Sequence, residues 1–124
     1  MQPVYPKSAI ALLDARTVAL AWLLLALLPV TWLAQPWLPL LAGWTPFQVN
    51  LAAVLCVGLA HVALSFTHSC PRCGKHPTIQ GFSSPHAESL SQSSRSGWAG
   101  VVVSILRRRR FVCIHCGAAY RIEP

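Results

Sequence analysis

Cys70-Pro71-Arg72-Cys73-Gly74 and Cys113-Ile114-His115-Cys116-Gly117 are the two stretches that decide how this chain is organised. In each, two thiols two residues apart can reach one ion, and the glycine that follows accepts a positive φ. Together the turns supply four sulfur ligands, enough to close a tetrahedron with no position left for water or substrate. The spacing therefore assigns Cys70, Cys73, Cys113 and Cys116 as metal ligands and zinc as the expected ion, in a structural role. His115, inside the second turn, is the candidate for a supporting hydrogen bond beside the ligands. His68, His76 and His86 lie nearby, but four thiolates leave them no place on the ion.

Upstream of the first pair the chain turns apolar. From Thr17 to Pro71, 55 residues pass without one Asp, Glu, Lys or Arg. Only 10% of all residues are charged, against about 25% in a typical globular domain. With 54% hydrophobic residues and a mean hydropathy of +0.50, the chain reads as a membrane protein. Thr17 to Ala34 is the first span, about 27 Å of helix. With Ser8 as N-cap, that helix begins early enough to cross a core of roughly 30 Å with residues to spare. Pro29 is expected to kink or loosen it. Residues 35–45, with Pro36, Pro39 and Gly43 and with Trp32, Trp37 and Trp44 around them, read as a turn in the membrane interface. Thr45-Pro46-Phe47-Gln48 has the form of a capping box and opens a second span, Pro46 to Phe66. The rival to the first span is a secretory signal with its apolar region at Val18–Leu28. A 16-residue leader and an apolar run this long argue against it.

Lys7 and Arg16 flank one end of this helical hairpin, Arg72 and Lys75 flank the other, and the connecting turn has no basic residue. The positive-inside rule then predicts both termini in the cytoplasm, from an inner or plasma membrane. In that reducing compartment clustered cysteines favour a metal over disulfides. Ala52, Cys56 and Ala60 recur every four residues and predict a helix-packing face, toward Ala19 and Ala26 of the first helix or toward a foreign helix. Asn50 and His61 are the polar exceptions. His61 reads as a hydrogen-bonding neighbour in preference to a haem ligand.

Residues 69–124 hold eight basic residues against Glu88 and Glu123, which is +6 of the formal +7. Residues 81–97 contain seven serines and read as a flexible excursion. Trp98 to Leu106 reads as a strand, because nine residues are too few to span and Val101-Val102-Val103 are β-branched. Arg107 to Arg110 follow, then Phe111-Val112 enters the second cysteine turn and Ala118 to Ile122 returns as a strand. A strand entering one Cys-x-x-Cys-Gly turn and another leaving it, opposite a Cys-Pro-x-Cys-Gly turn, resembles the zinc-ribbon class over about residues 69–124. The resemblance implies a small β module held by a metal at the four cysteines, and it implies no particular activity. The same turns also resemble those of rubredoxins, which bind one iron and carry electrons. That likeness implies an acidic, aromatic-rich interval, whereas this one is basic and serine-rich.

The expected fold is thus an α-helical transmembrane hairpin plus a small β zinc-ribbon module. Residues 1–16 form an N-terminal segment, 17–68 the hairpin and 69–124 the ribbon with its insertion at 81–97. No nucleophile–base pair, carboxylate pair or glycine-rich phosphate loop is apparent, with Asp14, Glu88 and Glu123 isolated along the chain, so an enzyme is not expected. The favoured function is a membrane accessory or assembly subunit whose ribbon grips a protein partner in a larger complex. The alternatives are a membrane-tethered iron electron carrier and a tethered nucleic-acid binder. Arg107, Arg108, Arg109 and Arg110 read as a solvated strand end, as a contact for anionic lipid headgroups, or as a contact for nucleic-acid phosphate.

Overall fold

The computed structural model describes residues 1–38 and 43–123. In chain order the elements are helix α1 (Ser8–Ala34), helix α2 (Pro46–Thr67), a 3-10 turn (Ala87–Ser89), helix α3 (Gly97–Arg108), and strands β1 (Arg110–Val112) and β2 (Ala119–Arg121). Two units emerge, one of Met1–Arg16 with Val62–Pro124 and one of Thr17–His61. Helices α1 and α2 are both long and apolar enough to cross a membrane.

In the second unit, α1 continues through Pro29 to Ala34 without a break in the helix. The capping box forms as expected: Gln48 N–H donates to Thr45 Oγ1 at 3.2 Å, and Thr45 N–H donates to Gln48 Oε1 at 2.9 Å. Two helix-end donors are thereby satisfied reciprocally. The helices meet through Asn50, whose Nδ2 donates to the Leu24 carbonyl at 3.1 Å and to Thr31 Oγ1 at 3.3 Å. Trp32 and Phe47 stack edge-on, 5.3 Å between centroids. Of the predicted small face, Ala52 is half-buried, while Cys56 and Ala60 are exposed, as is Ala26 of α1. Pro39 of the expected interfacial turn lies outside the described residues.

The first unit is organised around a two-stranded antiparallel sheet in which Arg110 pairs with Arg121, Phe111 with Tyr120 and Val112 with Ala119. Its free edges are occupied from two directions. Val4 bridges to Arg121 in parallel, with Tyr5 N–H donating to the Arg121 carbonyl at 2.8 Å and Arg121 N–H to the Pro3 carbonyl at 2.9 Å. On the other side the Gln92 side chain acts as a one-residue strand. Its Oε1 accepts from Val112 N–H at 2.8 Å and its Nε2 donates to the Val112 carbonyl at 3.2 Å. An unpaired edge would leave these backbone groups unsatisfied on burial.

Tyr5, Phe111 and Tyr120 form a three-ring cluster with centroid separations of 5.2, 5.5 and 5.7 Å. Val101, Val102, Ile105, Ile114 and Ile122 are buried in the same unit. Ser8 is the first helical residue instead of an N-cap: the Lys7 carbonyl already accepts from Ala11 N–H at 3.0 Å, and the Ser8 hydroxyl donates back to the Tyr5 carbonyl at 2.6 Å.

Residues 98–106 are corrected from strand to helix: α3 covers them. Its buried positions include Val101, Ser104 and Ile105, one face at helical spacing. Its start is stabilised from a distance, since Trp98 N–H donates to the Gln80 side-chain oxygen at 3.3 Å, and its N-cap Ser96 makes no side-chain cap bond. A short apolar run fits strand and helix alike, and a cap supplied from eighteen residues upstream is invisible to local reading. The serine-rich stretch is docked on the module: Ser89 and Gln92 are buried, and His86 N–H donates to the Ile114 carbonyl at 2.7 Å.

Candidate metal centre

The two cysteine turns are built alike. In the first, Gly74 N–H donates to the Cys70 carbonyl at 2.8 Å and Cys70 N–H to the Lys75 carbonyl at 2.8 Å. In the second, Gly117 N–H donates to the Cys113 carbonyl at 3.0 Å and Cys113 N–H to the Ala118 carbonyl at 2.8 Å. Gly74 and Gly117 both sit at φ 73°, a conformation that strains any residue with a Cβ. A Cβ at Gly117 would also strike the His86 ring at 2.6 Å. Each turn therefore presents its two sulfurs on the same side of a rigid loop.

All four sulfurs lie within 4.8 Å of one another. A tetrahedral ion with bonds of about 2.3 Å to sulfur sets its ligands about 3.8 Å apart. The pairs that bridge the two turns match: Cys70 to Cys116 is 3.7 Å and Cys73 to Cys113 is 3.9 Å. All four are free thiols, not disulfide partners. The cluster can bind one metal ion, and zinc and iron both suit four thiolates at this spacing.

The thiols differ in surroundings. Burial pushes Cys70 up, but hydrogen bonds from the Tyr120 hydroxyl and from the backbone N–H groups of Cys73 and Arg72 outweigh it and bring it down to about 7. Burial raises both Cys73 and Cys113. The Tyr120 hydroxyl lies 3.5 Å from Cys70 Sγ, and burial first, then this bond, pushes Tyr120 up to about 12. A phenol that keeps its proton remains a donor to sulfur. Tyr120 was not among the residues the sequence singled out, and only its position in the returning strand hinted at it.

His115 turns away from the sulfurs. Its Nε2 lies 3.1 Å from the His76 carbonyl and 2.9 Å from the Ile79 carbonyl. Carbonyls only accept, so Nε2 carries a proton and ties the second turn to the segment after the first. Cys56 lies on α2 and is not one of the four clustered cysteines.

A buried polar group that composition concealed adjoins the first turn. His68 Nε2 lies 3.0 Å from Asp14 Oδ2, and its Nδ1 lies 3.2 Å from the Tyr5 hydroxyl, which donates to the Ser69 carbonyl at 2.8 Å. Thr78 and Ser65 hydroxyls donate to the same carboxylate oxygen at 2.8 and 3.4 Å. Asp14 and Ser65 are 0% exposed and His68 is 1% exposed. Through these bonds Asp14 ties together the start of the first helix, the end of the second and the segment after the first cysteine turn.

Of the four arginines only Arg110 lies in a strand. Arg107 and Arg108 end α3, Arg109 is its left-handed cap at φ 52°, and Arg110 opens β1. Arg108, Arg109 and Arg110 line one cavity together with Arg121, which the sequence did not group with them.

Compared with known proteins, the chain matches no family model, no curated protein and no solved structure.

Proposed function

We propose that this chain is a non-catalytic accessory or assembly subunit of an integral membrane complex. In this reading α1 and α2 cross the bilayer, both termini lie in the cytoplasm, and a structural zinc at Cys70, Cys73, Cys113 and Cys116 holds a ribbon that contacts a protein partner. The observation that carries it is the composition of the first unit. Residues 1–16 and 62–124, which include the start of α1 and the end of α2, fold together through Tyr5, Val4 and Arg121. Segments before and after two spans can share a core only when both lie on one side of the membrane. Four thiolates also fill a tetrahedron, which leaves no open position for substrate and favours a structural ion. The exposed small face at Cys56 and Ala60 suits close approach of a helix from another chain.

The test is extraction in mild detergent, metal analysis, and identification of co-purifying proteins. The expected result is one zinc per chain, a stoichiometric membrane partner, and loss of that partner in Cys113→Ser. A solitary, monodisperse protein would count against the accessory role. Visible thiolate-to-iron absorption would move the reading to an electron carrier.

A further inference from the structure

We propose that the cavity lined by Arg108, Arg109, Arg110 and Arg121 binds a phosphate-bearing anion, either the headgroup of an anionic phospholipid or a free phosphate. The cavity measures about 600 Å³, within the range of small-ligand sites. Three different local structures converge on it: the last turn of α3, its left-handed cap, and both strands of the sheet. Arg109 holds φ 52°, a left-handed conformation uncommon for a residue with a Cβ. Its carbonyl is pinned by Ile122 N–H at 2.7 Å, which brings the α3 terminus against the end of β2 and so places Arg121 beside the run. Among the described residues one carboxylate pairs with these four guanidinium groups: Glu123, with Arg121 at 2.7 Å. Arg109 and Arg110 have no acidic partner among the described residues.

Like charges held together in a concavity repel one another, and a multiply charged anion relieves that repulsion. Guanidinium forks match phosphate oxygens two at a time, which a point-charge cluster of lysines would not. Gln2, on the cavity wall, adds an uncharged amide for remaining oxygens. Among the described residues, none lining the cavity has an aromatic ring, and stacking of nucleic-acid bases uses such rings. The inference is independent of which metal the cysteines hold and of the protein partner, so it can fail while the accessory reading stands.

Full-length protein in detergent is tested in two arms. Native mass spectrometry compares retention of phosphatidylglycerol with phosphatidylcholine, and calorimetry measures binding of inorganic pyrophosphate. In the arm that binds, Arg108→Gln with Arg110→Gln is expected to weaken binding about tenfold or more. Arg121→Gln, in a different element, is expected to weaken it in the same arm, so the conclusion does not rest on one variant. Arg95→Gln, with the same charge change as Arg121→Gln but at an exposed residue that does not line the cavity, is expected to stay within about twofold, since exposed charges outside the site are screened. Unchanged metal content reports that each variant is folded. Retention of phosphatidylglycerol alone assigns a headgroup, and pyrophosphate binding assigns a free phosphate. The proposal is overturned by no binding in either arm, by an equal loss in Arg95→Gln, or by an oligonucleotide that binds more tightly than both probes.

Discussion

At the scale of single residues, two side chains act on groups far from them in sequence: Tyr120 on a cysteine, Asp14 on a buried histidine. Tyr120 places a hydroxyl on Cys70 Sγ at 3.5 Å, and supporting hydrogen bonds of this kind tune metal affinity by about 10–100-fold. Tyr120→Phe keeps the ring against Tyr5 and Phe111 and removes only that donor. Metal affinity, measured by competition with a chromogenic chelator, is expected to fall by about tenfold while the far-ultraviolet circular dichroism is unchanged. Asp14 is the second case. It reads from sequence as one more charge before a membrane span, yet it is fully buried against His68, Thr78 and Ser65. Truncating one partner of such a group strands the other, at a cost of about 3–5 kcal/mol. Asp14→Ala should therefore lose protease resistance in residues 62–123. His68→Ala with Asp14→Ala should cost less than the two single losses added together, since neither partner is then left stranded.

At the scale of elements, the cysteine turns were legible and the helix between them was not. A Cys-x-x-Cys-Gly turn is defined by five adjacent residues, so its geometry is written locally in the sulfur spacing and in Gly74 and Gly117. The capping box at Thr45 is local in the same way, and it formed as the four residues predicted. Helix α3 depends instead on Gln80 at its start and on Ser104 Oγ, which donates to the Arg110 carbonyl at 2.6 Å near its end. Its three consecutive valines favour a strand only as long as these partners are ignored. The edge of β1 is decided at the same scale by Gln92. Gln92→Ala removes two hydrogen bonds and leaves both Val112 backbone groups without those partners. The expected cost is about 1–3 kcal/mol, read as faster amide exchange at Val112 with Phe111 and Tyr120 less affected.

At the scale of the whole molecule, the N-terminal segment belongs with the far end of the chain. Tyr5 is 1% exposed and sits among His68, Phe111 and Tyr120. Burial comes first, then the neighbouring cysteines, in driving its hydroxyl well above the ordinary phenol range, so it remains a hydrogen-bond donor. Tyr5→Ala opens a cavity at the centre of the aromatic cluster, and such losses cost about 3–5 kcal/mol. Limited proteolysis of the full chain should then release fragments from 69–123 at metal concentrations where the unaltered protein resists. A wild-type pattern in that variant would show that the segment only rests on the module.

Read alone, the sequence determined the four sulfurs, the two apolar helices and the returning strand at 119–121, because each follows from spacing or composition within one short window. Tertiary structure alone decided that residues 3–5 complete the sheet, that Asp14 is buried, that residues 98–106 are helical, and that Arg121 joins the arginine run. Each of those depends on at least one partner 11 or more residues away, up to 118 between Pro3 and Arg121, and the gain from burying or satisfying a group against so distant a partner leaves no periodic trace in the chain that supplies it.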